Sequence, residues 1–184
     1  MRNYVLLLAL TFLFFSCNTK TEKKTTNIAS IDSSTATLSS KNSERFVPST
    51  KNSEIFDTLI ADRQLRIIIT KTDLDSYVTH EYEEAGKKQI DKYRDAVIAL
   101  TIKEKSQTLL DTVFRKEQFS KYGDKGFIDI AIFHNYWFKK LDKDKLEFFG
   151  VISEPETDWT IDFHHYFDLT TKKLTFKQEI SDDE

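Results

Sequence analysis

The strongest constraint on how this chain folds is the strict alternation of residues 159–167, WTIDFHHYF. Trp159, Ile161, Phe163, His165 and Phe167 fall on one face of an extended segment, and Thr160, Asp162, His164 and Tyr166 on the other. A period of two over this length fits a half-buried antiparallel strand. Residues 169–173 are polar and turn-like, and Leu174, Phe176 and Gln178 resume the alternation, so the pattern predicts a closing β-hairpin.

Similar signals recur upstream. Residues 66–70, 76–82 and 96–103 read as strands, with turns near Asp62-Arg63 and at Glu104-Lys105-Ser106. Residues 127–138 form a long β-rich run in which Ile128, Ile130 and Ile132 alternate with Asp129 and Ala131. Residues 146–152 form another strand, with Gly150 as a bulge or a point of close approach. Residues 107–114 suit an amphipathic helix or a strand, and the reading leans to strand. One short helix is expected at residues 115–122, closed by Gly123 in the left-handed position. The fold class is therefore mainly β: an antiparallel meander of about seven to nine strands, barrel-like or sandwich, with one short helix.

Three zones divide the chain. Residues 55–184 carry 19 aromatic side chains, 20 basic and 26 acidic groups. A domain of that size buries roughly two thirds of the surface its unfolded chain exposes. Residues 18–54 hold 8 Ser, 7 Thr, 4 Asn and 5 Lys and have no apolar period. Such a segment cannot bury enough surface to offset its ordering entropy, so it reads as a disordered tether with an r.m.s. reach of about 30–36 Å. Within it, Arg45-Phe46-Val47-Pro48 reads as a local docking strand rather than a partner motif. The first residues are different again: Arg2, then an apolar run over residues 4–15, then Ser16 and Cys17. The run is too short for a membrane-spanning helix, which needs about 20 residues, and has the length of a signal-peptide core.

Leu13, Phe14, Phe15, Ser16 and Cys17 resemble the cleavage region of bacterial lipoprotein precursors. The resemblance implies a signal peptide over residues 1–16 and acylation of Cys17. It further implies a membrane partner through the lipid anchor, which two or more acyl chains make lasting. Asn18 in place of Asp leans toward the outer membrane of the cell envelope. Cys17 is the only cysteine, so an internal disulfide and a multi-cysteine zinc site are excluded. The net charge of −3 supplies no basic field for nucleic acid.

Two groups of residues are candidate sites. Glu154, Glu156 and Asp158 crowd one loop before Trp159, and could offer oxygens to a hard cation such as Ca²⁺ with His164 nearby. The preferred reading is a turn in which Pro155 fixes φ and Asp158 accepts from loop amides. His164 and His165 point to opposite faces, so they cannot share one metal, and His80 or His134 would have to supply a further ligand. His164 with Asp162 reads as exposed polar face, and His165 as a core histidine bonded to backbone. Tyr136, Trp137, Phe148 and Trp159, with Phe149, could line an apolar ligand cavity, although strand aromatics usually pack on cross-strand neighbours. Asp142-Lys143-Asp144-Lys145 reads as a solvated turn, and Glu81, Glu83 and Glu84 as a charged edge.

No nucleophile elbow, Gly-rich phosphate loop or zinc helix is present, so no cofactor and no catalytic residue are assigned. The stretch from Asp111-Thr112 through Phe119, the aromatic strand and the Pro155–Trp159 loop resemble small Gram-negative lipoproteins grouped under a domain of unknown function. The resemblance implies no activity. Three functions follow as expectations: a non-enzymatic, lipid-anchored domain that binds a protein or small ligand; a small-ligand-carrying barrel; and an envelope hydrolase or metal-binding protein.

Overall fold

A computed structural model describes residues 43–179. The leader, Cys17 and the first part of the polar segment lie outside the described residues. The described chain forms nine strands: β1 (Ser43–Val47), β2 (Ser53–Ile60), β3 (Leu65–Glu84), β4 (Lys87–Glu104), β5 (Gln107–Phe114), β6 (Ile132–Asp142), β7 (Lys145–Ser153), β8 (Thr160–Asp168) and β9 (Leu174–Gln178). They make two sheets, one ordered β1-β4-β3-β2 with β5 also on β4, the other ordered β6-β7-β8-β9. The fold is mainly β and sandwich-like, without a closed barrel. β1 departs from the antiparallel pattern: it pairs with β4 in parallel.

The segments 66–70 and 76–82 belong to one 20-residue strand, β3, which changes register between Asp73 and Tyr77. The segment 96–103 is the last part of the 18-residue β4. Ala85 and Gly86 join them with φ of 51° and 72°. Positive φ at both central residues gives the primed turn whose twist matches a hairpin, and Gly86 supplies the second at no steric cost.

The core lies between the sheets. Leu65, Ile67 and Ile69 of β3 and Ile98, Leu100 and Ile102 of β4 are buried on one side, with Ile67 opposite Ile102 and Ile69 opposite Leu100. Ile161, Phe163, His165 and Phe167 of β8 face them, as the alternation requires, together with Leu146, Phe148 and Ile152 of β7. Burial of an apolar side chain of this size contributes about 1.5–3 kcal/mol. Gly150 has no register shift beside it; the shifts of that pair fall at Phe133/Asn135 and Phe138/Lys140 on β6. Its role is close approach, since a Cβ there would stand 2.2 Å from the Phe163 ring.

Asp95 links the two sheets. Its buried Oδ1 accepts from the backbone N–H groups of Ala96 at 2.8 Å and Phe133 at 2.9 Å, and Lys116 Nζ lies 3.6 Å from Oδ2. A carboxylate so placed satisfies a buried amide at the start of β6.

Two helical expectations are corrected. Residues 115–122 contain only a 3-10 turn, Lys116–Phe119, and Gly123 does not adopt a left-handed φ. The segment is shaped by docking: Phe119 stacks on Phe163 at 4.4 Å and Tyr122 on Phe176 at 4.0 Å. Gly123 is small because Ile161 Cδ1 would meet a Cβ at 2.8 Å. The one α-helical turn among the described residues, α1 (Phe127–Ile130), falls where the isoleucine alternation predicted strand. Gly126, at φ 89°, turns the chain so that Phe127 and Ala131 both reach the core. Residues 107–114 form β5, as the strand reading has it.

Ser43–Val47, inside the range read as tether, is the docking strand that Arg45-Phe46-Val47-Pro48 suggested. Arg45 donates from Nε and Nη2 to the two oxygens of Asp91, each at 2.7 Å. Asp91 is buried, and this two-pronged fork holds its carboxyl below the usual carboxylate range despite burial, which opposes it. Ordered structure thus begins ahead of residue 55, with β2 also starting at Ser53.

Candidate functional site

The four aromatic residues expected to share a cavity occupy three places. Tyr136 and Phe148 are wholly inside and stack at 5.8 Å with an interplanar angle of 8°. Trp137 lies on the outer side of the second sheet against Phe149, at 4.8 Å. Trp159 precedes β8 and packs on Phe127 at 4.9 Å. The aromatic interior is filled by its own side chains, so neither a barrel nor a cavity lined by these four residues is formed. A smaller hollow of about 220 Å³ lies elsewhere, at Phe114, Phe119, Tyr122, His165 and Phe176.

The metal reading fares no better. Among the described residues no group of three or more His, Asp or Glu converges to hold an ion. The 154–159 loop is a turn, with Glu154 N–H donating to Trp159 O at 3.1 Å and the Thr157 hydroxyl to Glu154 O at 3.2 Å. The amide of Trp159 donates to the Thr157 hydroxyl at 3.1 Å, so Thr157 does part of the work expected of Asp158, which is exposed. His164 belongs to a different neighbourhood: Nδ1 is 2.9 Å from Glu147 and Nε2 is 3.4 Å from Glu179. It is buried rather than exposed, because the rings of Phe149 and Tyr166 flank it at 4.9 and 5.8 Å. Burial pushes Glu147 up, but Lys140 and Lys139, each 3.4 Å away, outweigh it and leave the carboxyl below its ordinary value.

His165 is a core histidine, but its partner is the Tyr136 hydroxyl, 3.1 Å from Nδ1, and not backbone. Burial among Phe114, Phe119, Phe163 and Phe176 brings its pKa down to about 4, so the ring is neutral at pH 7.

The cleft that can take a ligand lies where the two sheets meet the end of β1. It encloses about 500 Å³, within the range of small-molecule sites. Val47, Pro48, Ile132, Phe133, Val151 and Pro155 give it an apolar lining. Lys71, Asp73, Tyr93, Arg94, His134, Glu154 and Glu156 supply its polar groups. Strand geometry delivers them: Lys71 and Asp73 sit at the end of the regular β3 pairing, and Tyr93 and Arg94 in the first half of β4.

The charged groups are held by neutral partners. Lys71 Nζ donates to the backbone O of His134 at 2.6 Å, crossing from one sheet to the other. Arg94 donates from Nε to Pro48 O at 3.3 Å and from Nη1 to Leu74 O at 3.4 Å, and its guanidinium lies 4.1 Å over the Phe46 ring. The Tyr93 hydroxyl donates to Glu156 Oε1 at 2.5 Å. Burial, and then this carboxylate, push the phenol well above its ordinary pKa, so it remains a donor. Asp73 accepts from the amide of Asn52 at 2.9 Å. Partial burial and the Lys71 ammonium lower His134, leaving its imidazole neutral at pH 7.

Of the expected site residues, the cleft takes in Glu154 and Glu156. Lys71, Tyr93, Arg94 and His134 complete it, and the sequence reading assigned none of the first three.

The fold and the cleft together define a two-sheet β domain with a ligand-sized opening beside the strand that follows the polar segment. The family model described as "Domain of unknown function (DUF4738)" matches residues 33–171, and the chain belongs to that family. No curated protein matches the chain.

Proposed function

We propose that this chain is a lipid-anchored protein of the cell envelope, held at the outer membrane through Cys17, whose folded domain binds a small ligand without transforming it. The cleft carries the reading: an apolar lining of ligand size, with polar groups immobilised before any ligand arrives. Preorganised donors and acceptors lower the ordering cost of binding. A binding role is further supported by the partners of the polar groups. Ser153 and His134 both line the cleft, and no hydrogen bond joins them into a nucleophile–base pair among the described residues.

Two measurements test the two halves of this reading. Cys17→Ser should shift the protein from the membrane fraction to the soluble fraction, and full membrane retention would overturn the anchor. Amide chemical shifts recorded against mixtures of amino acids, sugars and nucleotides should move at Val47, Tyr93, Val151 and Thr157. Shifts confined to other parts of the domain would overturn the cleft.

A further inference from the structure

The cleft holds charges of both signs that do not neutralise each other. Lys71 and Arg94 line it with Asp73, Glu154 and Glu156, yet none of these cations ion-pairs with any of these acids. Elsewhere on the same domain, basic and acidic groups do pair: Arg66 with Asp57, Arg63 with Asp144 at 2.6 Å, Lys88 with Glu81 at 2.7 Å and Lys92 with Glu44 at 2.5 Å. In the cleft, backbone carbonyls hold the cations, while a phenol, a hydroxyl and an amide hold the acids. Each keeps unused capacity. Among the described residues, Arg94 Nη2 donates to no group, Lys71 uses one of its three N–H bonds, and Oε2 of Glu156 and Oε1 of Glu154 receive no donor.

The cation group belongs to β3 and β4, and the Glu154–Glu156 group to the loop after β7. Asp73 shares β3 with Lys71, and one of its oxygens is taken by the Asn52 amide. A site that leaves charges of both signs unpaired and holds each through a neutral partner is complementary to a ligand with two charged ends. The geometry points to a small dipolar ligand, a free amino acid or short peptide, with its carboxylate on Lys71 and Arg94 and its ammonium on Glu154 and Glu156. Arg94 suits the carboxylate end: its guanidinium is held 4.1 Å over the Phe46 ring, and a planar fork matches a carboxylate. The apolar groups of the cleft, Val47, Ile132 and Val151 among them, would cover side chains. This inference rests on the cleft being the ligand site.

The test varies the ligand first, so that its main result does not depend on a variant that fails to fold. The full chain in detergent is titrated calorimetrically with tri-alanine, its C-terminal amide, its N-acetyl form, the doubly blocked peptide and L-alanine. Removal of either charge should weaken binding about ten- to hundredfold, and removal of both should weaken it further. Tri-alanine against L-alanine separates a peptide from a free amino acid. Arg94→Gln should weaken tri-alanine but not its amide, and Glu154→Gln should weaken tri-alanine but not its N-acetyl form. Equal binding of all five ligands, with amide shifts at Val47 and Tyr93, would overturn the dipolar ligand and keep the cleft. Shifts away from the cleft, or none with any probe while sugars or nucleotides move Val47 and Tyr93, would overturn the dipolar ligand. No cleft shift with any compound would overturn both.

Discussion

One sheet faces the core mainly with aliphatic side chains and the other mainly with aromatic ones. Ile67, Ile69, Ile98, Leu100 and Ile102 line β3 and β4, while Tyr136, Phe148, Phe163, His165 and Phe176 line the second sheet. Branched aliphatic chains stack on their strand neighbours, and each one touches a modest volume. The rings interlock instead: Phe163 alone lies within 6.3 Å, centroid to centroid, of Phe119, Phe133, Tyr136, His165 and Phe176. The aromatic half therefore tolerates less change of shape, and it also contains the polar pair Tyr136–His165. The aliphatic half should absorb a lost methyl group; the aromatic half should not absorb an added one.

The largest test removes the shared ring. Phe163→Ala should cost about 3–5 kcal/mol in urea unfolding. A loss below that of a single methyl group would show that the rings collapse easily. Adding a methyl group tests the converse. Gly150→Ala should cost about 3 kcal/mol, since the new Cβ would stand 2.2 Å from a ring hemmed in on several sides. Phe163→Leu should relieve most of that penalty, and additive losses in the double variant would refute the steric account.

Acid should act on the aromatic half first. The folded His165 pKa of about 4 lies below the ordinary value of about 6.5, so the unfolded chain takes up the proton first as pH falls. Stability is then lost from about pH 6.5 down to about pH 4, with a contribution near 2 kcal/mol between pH 7 and pH 5. His134, also lowered, adds a loss of the same sign. His165→Phe should flatten the slope measured by urea unfolding at pH 7 and pH 5; an unchanged slope would remove His165 as its source. The smallest effect belongs to the aliphatic half, where Ile69→Val should cost about 1 kcal/mol, and a cost equal to that of Phe163→Ala would erase the contrast.

The same division explains what was legible in the sequence. β8 was readable because one side of it is almost wholly apolar and meets the core along its entire length. The first half of β4 was not, since Asp91, Tyr93 and Asp95 alternate with Lys92 and Arg94, leaving polar residues on both faces. β1 pairs along the edge of that half, and its side chains meet the Arg45 fork and the cleft, partners that come from far along the chain. Helix boundaries failed for a related reason. One turn of helix is too short to carry its own signal, and Phe119 and Phe127 take their places from the rings they meet. The acidic loop at Glu154–Glu156 stood out in sequence, while its cationic counterparts, Lys71 and Arg94, fell outside the segments read as strand.

β1 has one further consequence. Val47 and Pro48 at its end form part of the cleft wall, and the strand is the first described element after the polar segment. Occupancy of the cleft and seating of β1 are therefore thermodynamically linked. A ligand that touches Val47 and Pro48 must make β1 harder to peel from β4, and by reciprocity a pull on the chain ahead of Ser43 must loosen the ligand by the same free energy. If the chain is anchored at Cys17, mechanical tension between membrane and domain becomes a variable that the cleft can sense.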